Sequence, residues 1–391
     1  MHLEYTPEQV ELRQQLRAYF RSLFSEELYQ ELDETEGGGP LYLQALEQMG
    51  KDGWLGLGWP EEYGGQNRSA IDQFIFSDEV QRACFPIPLL TLNTVGPTIM
   101  SHGTQEQKDH FLPLILKGKV HFSIGYTEPS AGTDLASLKT KAVEDGEHYV
   151  VSGQKVYTSQ AHYCDYLWLA CRTDPQLAKH KGISILIVDK NLPGVQFTPI
   201  HALGENKVFT TYLEDVRVPK SMVVGGLNNG WKLITSQLNH ERVALFPVGL
   251  MERFYEETKE WAQETAAPEG GKIIDRSWVQ MNLADVYRGL DILRLFNWRQ
   301  AWNIEQGALP AQEASAVKVY GSEFYVRANQ QLMEILGSAG PLHGDSKAVQ
   351  FQGRLEKFYR STLVLTFGGG ANEVQRDIIS MAGLRMPRPP R

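Results

Sequence analysis

A single carboxylate interrupts the apolar stripe of a predicted helix in the last third of the chain. Over residues 230–248 apolar side chains recur at helical spacing, and Glu241 lies three residues after Leu238 and four before Leu245. The stripe comprises Ile234, Leu238, Leu245 and Val248. A carboxylate in this position loses hydration, which raises its pKa and makes it a candidate proton acceptor. The alternative is a structural glutamate that reaches solvent or pairs with a cation such as Arg242.

A polar run with glycine lies at the start of the middle third of the chain. It reads Gly125-Tyr-Thr-Glu-Pro-Ser-Ala-Gly-Thr-Asp134. Small residues such as Gly132 let backbone N–H groups approach an anion or a flat ring edge, and Thr127 and Thr133 add hydroxyls. Further on, Lys155-Val-Tyr-Thr-Ser159 places an aromatic ring beside two hydroxyls. The first run alone also fits an ordinary polar turn, and the chain has no Gly-x-Gly-x-x-Gly after a strand and no P-loop.

The composition restricts the possible classes of function. The 391 residues include 38 basic and 47 acidic ones, a net charge of −9, without a concentrated basic run, so we expect no nucleic-acid role. Cys84, Cys164 and Cys171 have neither disulfide nor metal-ligand spacing, which predicts a reducing compartment and no bound metal. The sequence lacks an apolar stretch of the roughly 20 residues that a membrane span needs, and its first residues lack signal features. We therefore expect a cytoplasmic protein.

The period of the hydrophobic pattern changes twice along the chain. Residues 1–120 have helical spacing, 121–228 alternate as strands with a hairpin signal at Asp145-Gly146, and 229–391 are helical again. Capping signals begin helices at Thr6, Ser69 and Thr104. The last segment has helical patterns over 231–265, 275–306, 311–336, 345–364 and 371–383. The sequence predicts an α+β architecture: an N-terminal helical domain, a middle antiparallel β-barrel or sandwich, and a C-terminal helical bundle.

On this α–β–α plan, three motifs together resemble those of the acyl-CoA dehydrogenase family, and the resemblance covers nearly the whole chain. Residues 127–134 are similar to the family's Thr-Glu-Pro-x-Ala-Gly-Ser/Thr-Asp motif, and 155–159 to a changed Lys-x-Trp-Ile-Thr motif. Residues 370–376 are similar to its Gly-Thr-Ser-x-x-Gln-Arg run.

The resemblance implies FAD as the cofactor. The residues that would line its pyrimidine edge, the nearby phosphate and the thioester are Tyr126, Thr127, Gly132 and Thr133. The residues that would pack beside the flavin and donate a hydrogen bond near its N5 are Tyr157, Thr158 and Ser159.

The family's chemistry gives the unusual carboxylate a role. A base removes the α-proton of an acyl-CoA thioester while the β-hydride passes to flavin N5, which leaves a trans 2,3 double bond. In the family the base lies in the loop before the Gly-Thr-Ser run, where this chain has Phe367-Gly-Gly-Gly370, or on the helix that here carries Glu241-Arg242. The resemblance therefore implies that Glu241, beside Arg242, is the catalytic base. It also implies an electron-transfer flavoprotein as the electron acceptor.

The chain departs from ordinary family members, which are homotetramers whose neighbouring subunit completes each FAD site. The neighbour's Arg-x-x-Phe-Gly…Phe-Gln stretch is absent from residues 261–278, and Glu334 replaces the first Gln of its Gln-x-Phe-Gly-Gly-x-Gly loop. Carboxylates at Glu334 and Glu373 would repel a pyrophosphate. These features resemble the heteromeric α2β2 acyl-CoA dehydrogenases of bacterial steroid catabolism. In those enzymes a paralogous subunit completes the site, and the substrate is a CoA thioester of a cholesterol side chain.

Three alternatives stay open on the sequence. A homotetramer with altered contacts would act on other branched or fatty acyl-CoA substrates. A non-catalytic partner subunit would lack both acid positions, whereas this chain has Glu241. An acyl-CoA oxidase would share the fold and the motifs, although oxidases usually carry an added C-terminal domain that 391 residues cannot hold.

Overall fold

The N-terminal part of the chain is helical, as predicted. The computed structural model describes residues 4–35, 37–205, 207–244, 246–308 and 310–387, with the backbone alone over 238–244. The first helices are α1 (Pro7–Leu23), α2 (Glu26–Thr35), α3 (Pro40–Lys51), α4 (Ala70–Arg82), α5 (Gly96–His102) and α6 (Gln105–Leu116). Thr6 and Thr104 form capping boxes at α1 and α6, and Ser69 accepts the N–H of Asp72 at α4. These contacts confirm the predicted helix starts.

The middle part forms a mixed sheet. Its strands are β1 (Phe122–Gly125), β2 (Lys141–Asp145), β3 (His148–Ser159), β4 (Tyr166–Arg172), β5 (Ile183–Asp189), β6 (Val195–His201), β7 (Lys207–Pro219) and β8 (Val223–Val224). They pair in the order β6–β7–β3–β2–β4–β5–β8, with β1 beside β4. Most pairs are antiparallel, and the β2–β3 hairpin turns at Asp145-Gly146 as predicted. The prediction of an antiparallel middle domain missed two parallel pairs, β1–β4 and β2–β4. The polar run after β1 and the β2–β3 hairpin lie between β1 and β4 in the sequence. This connection is long enough for β4 to pair in parallel with β1.

The central strands of the sheet are buried on both faces. Along β4, Leu167 and Leu169 join an apolar cluster formed within the sheet, whereas Trp168 and Ala170 join the cluster of the N-terminal helices. Successive side chains of a strand point to opposite faces, so a strand between two cores is apolar at nearly every position. This arrangement brings the indole of Trp168 beneath the polar run that follows β1.

The C-terminal part returns to helices. They are α7 (Gly230–Ala244), α8 (Gly249–Glu264), α9 (Ser277–Glu305), α10 (Ala311–Ile335), α11 (Arg354–Thr362) and α12 (Asn372–Ile378). The helix predicted over 231–265 is divided between α7 and α8, because Pro247 has no N–H to continue the ladder. Ile234 is buried as predicted, but Val248 lies beyond the end of α7, so its predicted place on the α7 stripe is wrong. Among the described residues, none of the helices combines the length and the apolar character that a membrane span requires.

The helix predicted over residues 345–364 begins nine residues later than expected, at Arg354. The preceding Phe351, Gln352 and Gly353 have φ values of 52°, 58° and 73°, which lie in the left-handed region and cannot continue a right-handed helix. The apolar pattern alone therefore extended this helix too far.

The link between α7 and α8 is held by side chains from other helices. Asp78 on α4 accepts the Val248 N–H at 2.7 Å, and Asn297 on α9 donates to the Phe246 carbonyl at 2.8 Å. Tyr325 on α10 donates its hydroxyl to the Pro247 carbonyl. These contacts satisfy the Val248 N–H and the carbonyls of Phe246 and Pro247 in the link before α8.

Asp78 should make the stability of the fold depend on pH. Burial raises the pKa of Asp78 to about 7. The positive charge of Arg13 lowers this pKa, and the negative charge of Glu252 raises it further. The folded-state pKa is above the unfolded value, so a penalty on folding develops as pH rises from about 4 to about 7. We expect Asp78→Asn, which keeps a hydrogen-bond acceptor for Val248, to be more stable than the wild type at pH 8, by up to about 4 kcal/mol.

Unfolding midpoints in urea at pH 5 and pH 8 would test this expectation. The stability advantage of Asp78→Asn over the wild type should shrink at pH 5. A stability advantage of Asp78→Asn over the wild type that is smaller at pH 8 than at pH 5 would contradict a raised pKa of Asp78 in the folded protein.

Candidate active site

The polar run after β1 is fastened to strand β3 by a buried ion pair. Lys155 Nζ donates to Glu128 Oε1 at 2.8 Å and to the Tyr126 carbonyl at 3.1 Å, and the lysine side chain is fully buried. The Glu128 carboxylate also accepts the backbone N–H groups of Lys139 and Thr140. Burial raises the pKa of Glu128, but the charge of Lys155 and these hydrogen bonds outweigh burial and lower the pKa below its ordinary value. The run is therefore a fixed loop rather than a mobile turn.

This loop presents small and hydroxyl groups at its outer side. Gly132 and Thr133 are exposed and Thr127 is half-buried. A Cβ on Gly132 would lie 3.9 Å from the Thr127 methyl, so these two residues lie side by side. The Thr127 carbonyl accepts the Val156 N–H at 2.9 Å, which joins the two motifs predicted from the sequence. The loop and the end of β3 form one surface.

A bulge in β3 directs the second motif. The β3–β7 register shifts between Lys155 and Thr158, and Tyr157 has a φ of 61°. Tyr157 is 63% exposed and Ser159 is also exposed, so both can meet a ligand at the surface. Thr158 points the other way: it is 1% exposed, and its hydroxyl is 2.9 Å from that of Thr211. The structure leaves Tyr157 and Ser159 exposed and turns the Thr158 hydroxyl inward.

Helix α7 is joined to the loop through Tyr126. The Tyr126 hydroxyl donates to Gln237 Oε1 and accepts the indole N–H of Trp168 at 3.1 Å. Gln237 is 2% exposed. Glu241 and Arg242 lie on the described backbone of α7, but their side chains lie outside the described residues. Because Gln237 and Glu241 are one helical turn apart, the α7 face that meets the loop is also the face on which Glu241 lies.

The loop before α12 carries glycines and no carboxylate. The sequence from Leu363 to Ala371 contains no acid, and Gly369 and Gly370 have φ values of 67° and 103°. Next to this loop, Asn372 at the start of α12 accepts a hydrogen bond from the buried Lys318 Nζ on α10 at 2.7 Å. The loop is therefore anchored at its end, and Gly369 and Gly370 adopt left-handed backbone conformations that other residues rarely take.

Sequence reasoning missed several residues that shape this site. They are Glu128, Lys155, Trp168, Gln237, Lys318 and Asn372. Glu128 and Lys155 lie within the quoted motifs, and a buried charge pair could have been suspected from their place among apolar and β-branched residues. The contacts of Gln237 and Trp168 join segments far apart in the chain, and no local pattern indicates them.

Models of the acyl-CoA dehydrogenase N-terminal, middle and C-terminal domains match residues 6–119, 123–216 and 228–384. The chain is 50% identical to acyl-CoA dehydrogenase FadE26 of Mycobacterium tuberculosis, over 99% of each protein. It is 47% identical to acyl-CoA dehydrogenase FadE29 of the same organism, over 100% of each.

Solved structures show the same fold. A chain of the ChsE4-ChsE5 complex from Mycobacterium tuberculosis matches with a TM-score of 0.93 and 51% identity, over 100% of both chains. A chain of the Tcur3481-Tcur3483 steroid ACAD matches with a TM-score of 0.93 and 46% identity, also over 100% of both. The three matched domains, the full-length relatives and the α–β–α architecture agree. This chain belongs to the acyl-CoA dehydrogenase family.

Proposed function

We propose that this chain is the base-bearing subunit of a heteromeric, FAD-dependent acyl-CoA dehydrogenase that introduces a trans 2,3 double bond into a steroid side-chain CoA thioester. The observation that carries the proposal is the Tyr126–Gln237 hydrogen bond, which packs the Glu241-bearing helix α7 against the polar loop. The substrate class is supported by full-length similarity to a chain of a steroid ACAD. The heteromeric assembly is supported by similarity to a chain of the ChsE4-ChsE5 complex.

The residues at the loop fit a flavin. Gly132 leaves the approach to Thr127 free of a side chain, and Thr133 offers an exposed hydroxyl. Tyr157 and Ser159 supply a flat ring and a hydroxyl on the adjoining surface. We propose these residues and Tyr126, through its backbone, as flavin contacts, with Thr158 supporting them from inside the sheet. Bound FAD would supply the acceptor for the β-hydride.

Glu241 would remove the α-proton. The glycine loop 368–370 offers no competing carboxylate, so α7 is the element left to provide the base. Arg242, next to Glu241 on the same helix, would balance the local negative charge. Burial of the α7 face by the loop would keep water from the base during proton transfer.

A partner subunit would complete the adenine half of each FAD site. Glu334 lies in the last turn of α10, where it accepts a hydrogen bond from Asn282 at 3.0 Å, and Glu373 lies in the first turn of α12. Two carboxylates on the elements that serve a neighbour's FAD in ordinary members would weaken binding of a pyrophosphate. We therefore assign the flavin contacts and the catalytic base to this chain, and the contacts to the adenine half of FAD to the partner subunit. An electron-transfer flavoprotein would reoxidise the flavin.

A comparison of kcat/KM for two substrates would test the substrate class. The chain is co-expressed with a paralogous partner, and turnover of a steroid side-chain CoA thioester is compared with that of a straight-chain acyl-CoA under an artificial electron acceptor. We expect kcat/KM to favour the steroid thioester by at least about tenfold. Equal or greater kcat/KM for the straight chain would contradict the steroid assignment and leave the dehydrogenase chemistry intact.

A further inference from the structure

A cavity of about 390 Å³ lies between the N-terminal and the C-terminal helices. Its walls come from α4, from the π-helical turn Thr91–Val95, from Pro247 in the link before α8 and from the end of α9. The volume falls within the roughly 300–1,000 Å³ of ligand pockets. The lining is mainly apolar and includes Trp59, Phe74, Phe76, Ile87, Leu92 and Ile304. The cavity therefore suits a bulky apolar group.

The π-helical turn forms a fixed wall of this cavity. The indole N–H of Trp59 donates to the Leu92 carbonyl at 3.2 Å, and a Cβ on Gly96 would lie 2.4 Å from the Trp59 ring. The ring is thus packed directly on the backbone that follows the turn. The same turn packs against α7, the helix that carries Glu241. One wall of the cavity therefore contacts the helix that is proposed to bear the base, and π-helical turns are frequent at functional sites.

Asn297 on α9 lines the cavity with an amide of fixed orientation. Its Nδ2 donates to the Phe246 carbonyl at 2.8 Å. A carbonyl can only accept, so the NH2 end of the amide must face Phe246, and Oδ1 is the other end. Asn297 is 3% exposed, and its Oδ1 has no hydrogen-bond partner among the described residues. Because a buried acceptor without a donor is destabilising, a ligand that donates to Oδ1 would gain affinity.

We propose that the cavity takes the ring end of the steroid substrate, and that Asn297 is a specificity-determining residue whose Oδ1 accepts a hydrogen bond from a hydroxyl on that end. The inference rests on the proposed substrate class. A hydroxyl can donate to Oδ1, whereas a ketone oxygen is itself an acceptor and a C–H group offers no comparable hydrogen bond. The preferred substrate is therefore one whose ring end carries an alcohol rather than a ketone.

Binding of reaction products tests this inference without turnover. The ligands are steroid side-chain enoyl-CoA thioesters that are identical except for a hydroxyl, a ketone or a hydrogen at the ring end. Calorimetry measures the Kd of each for the flavin-containing complex. In the wild type the hydroxyl ligand should bind about 10-fold more tightly than the other two, which is the effect of one hydrogen bond to a buried acceptor. This comparison needs the wild type alone, so it does not depend on the folding of a variant.

Three variants locate the effect. Asn297→Leu should bring the Kd values of the three steroid ligands within about twofold of one another, because the acceptor is lost. The control is Asn303→Leu, which removes another buried amide of α9, one that donates to Glu313, and it should keep the preference for the hydroxyl. Ala301→Phe places a ring in the cavity. It should weaken all three steroid ligands by at least about 10-fold and a short straight-chain enoyl-CoA by less than about twofold.

Equal Kd values for the three steroid ligands in the wild type would overturn the role of Asn297 and indicate that water satisfies its Oδ1. A preference for the hydroxyl that survives Asn297→Leu would also overturn it. Unchanged steroid binding in Ala301→Phe would overturn the placement of the ring end in this cavity. Failure of the proposed function has a different signature, because the steroid ligands would then bind the wild type no more tightly than the short straight-chain enoyl-CoA.

Discussion

Replacing Glu241 by glutamine should slow flavin reduction by about 10²–10⁴-fold, which is the usual size of general-base catalysis. The change removes the proton acceptor but keeps the size of the side chain. Because the proposed flavin contacts lie on the polar loop and the end of β3, we expect FAD content to remain normal. The measurement is stopped-flow bleaching of the flavin absorbance after mixing with the acyl-CoA substrate.

The control is Glu260→Gln, the same change at an exposed position on α8. It should reduce flavin at the wild-type rate. Bleaching of Glu241→Gln at a near-normal rate, with FAD bound, would show that another group removes the α-proton. The loop before α12, the other position at which the family carries its base, has glycines at residues 368–370 in this chain. Such a result would therefore require a base from the partner subunit.

The second large effect concerns the buried Lys155–Glu128 ion pair, which fastens the polar run of residues 125–134 to β3. Lys155→Met should lower the free energy of unfolding by about 3–5 kcal/mol, because it leaves the carboxylate of Glu128 buried without its cation. Lys155 is fully buried and Glu128 is 5% exposed, so water cannot replace the missing charge. The loop carrying Thr127 and Thr133 should loosen, and FAD should be lost more readily. Urea unfolding and FAD content after gel filtration would measure both effects.

Two further variants separate the buried charge from loss of contacts. Lys155→Met combined with Glu128→Gln removes both charges, and we expect it to be more stable than Lys155→Met alone. Lys179→Met breaks the exposed Lys179–Asp134 pair on the same loop, which should change stability by less than about 1 kcal/mol. Equal decreases in the free energy of unfolding for Lys155→Met and Lys179→Met would contradict a structural role for the buried Lys155–Glu128 pair.

The architecture could be predicted from the sequence because the helical or alternating spacing of apolar residues continues over many residues in each segment. The capping boxes at Thr6 and Thr104 and the hairpin at Asp145-Gly146 are local signals, and the structure confirms them. The α7–α8 break at Pro247 was missed, since apolar residues continue on either side of it. The parallel pairing of β1 with β4 was missed because it depends on tertiary packing rather than on local alternation.

The candidate site was predictable only in part. The two motifs around Gly132 and Tyr157 are joined by the Thr127–Val156 hydrogen bond. Thr158 was grouped with Tyr157 and Ser159 from sequence proximity, yet strand alternation and the bulge turn its hydroxyl inward. The flavin and base assignments themselves stay predictions, to be settled by the variants described above.

The amount of FAD per polypeptide, measured together with native mass on the complex purified from its own host, distinguishes a heteromer from a homotetramer. We expect roughly one FAD for every two polypeptides in a tetramer that contains a second, related chain, because each site takes one half from each subunit type. One FAD per polypeptide in a homotetramer would contradict it. Glu334 and Glu373 would then be compatible with a neighbour's pyrophosphate, and the chain would be a self-sufficient acyl-CoA dehydrogenase.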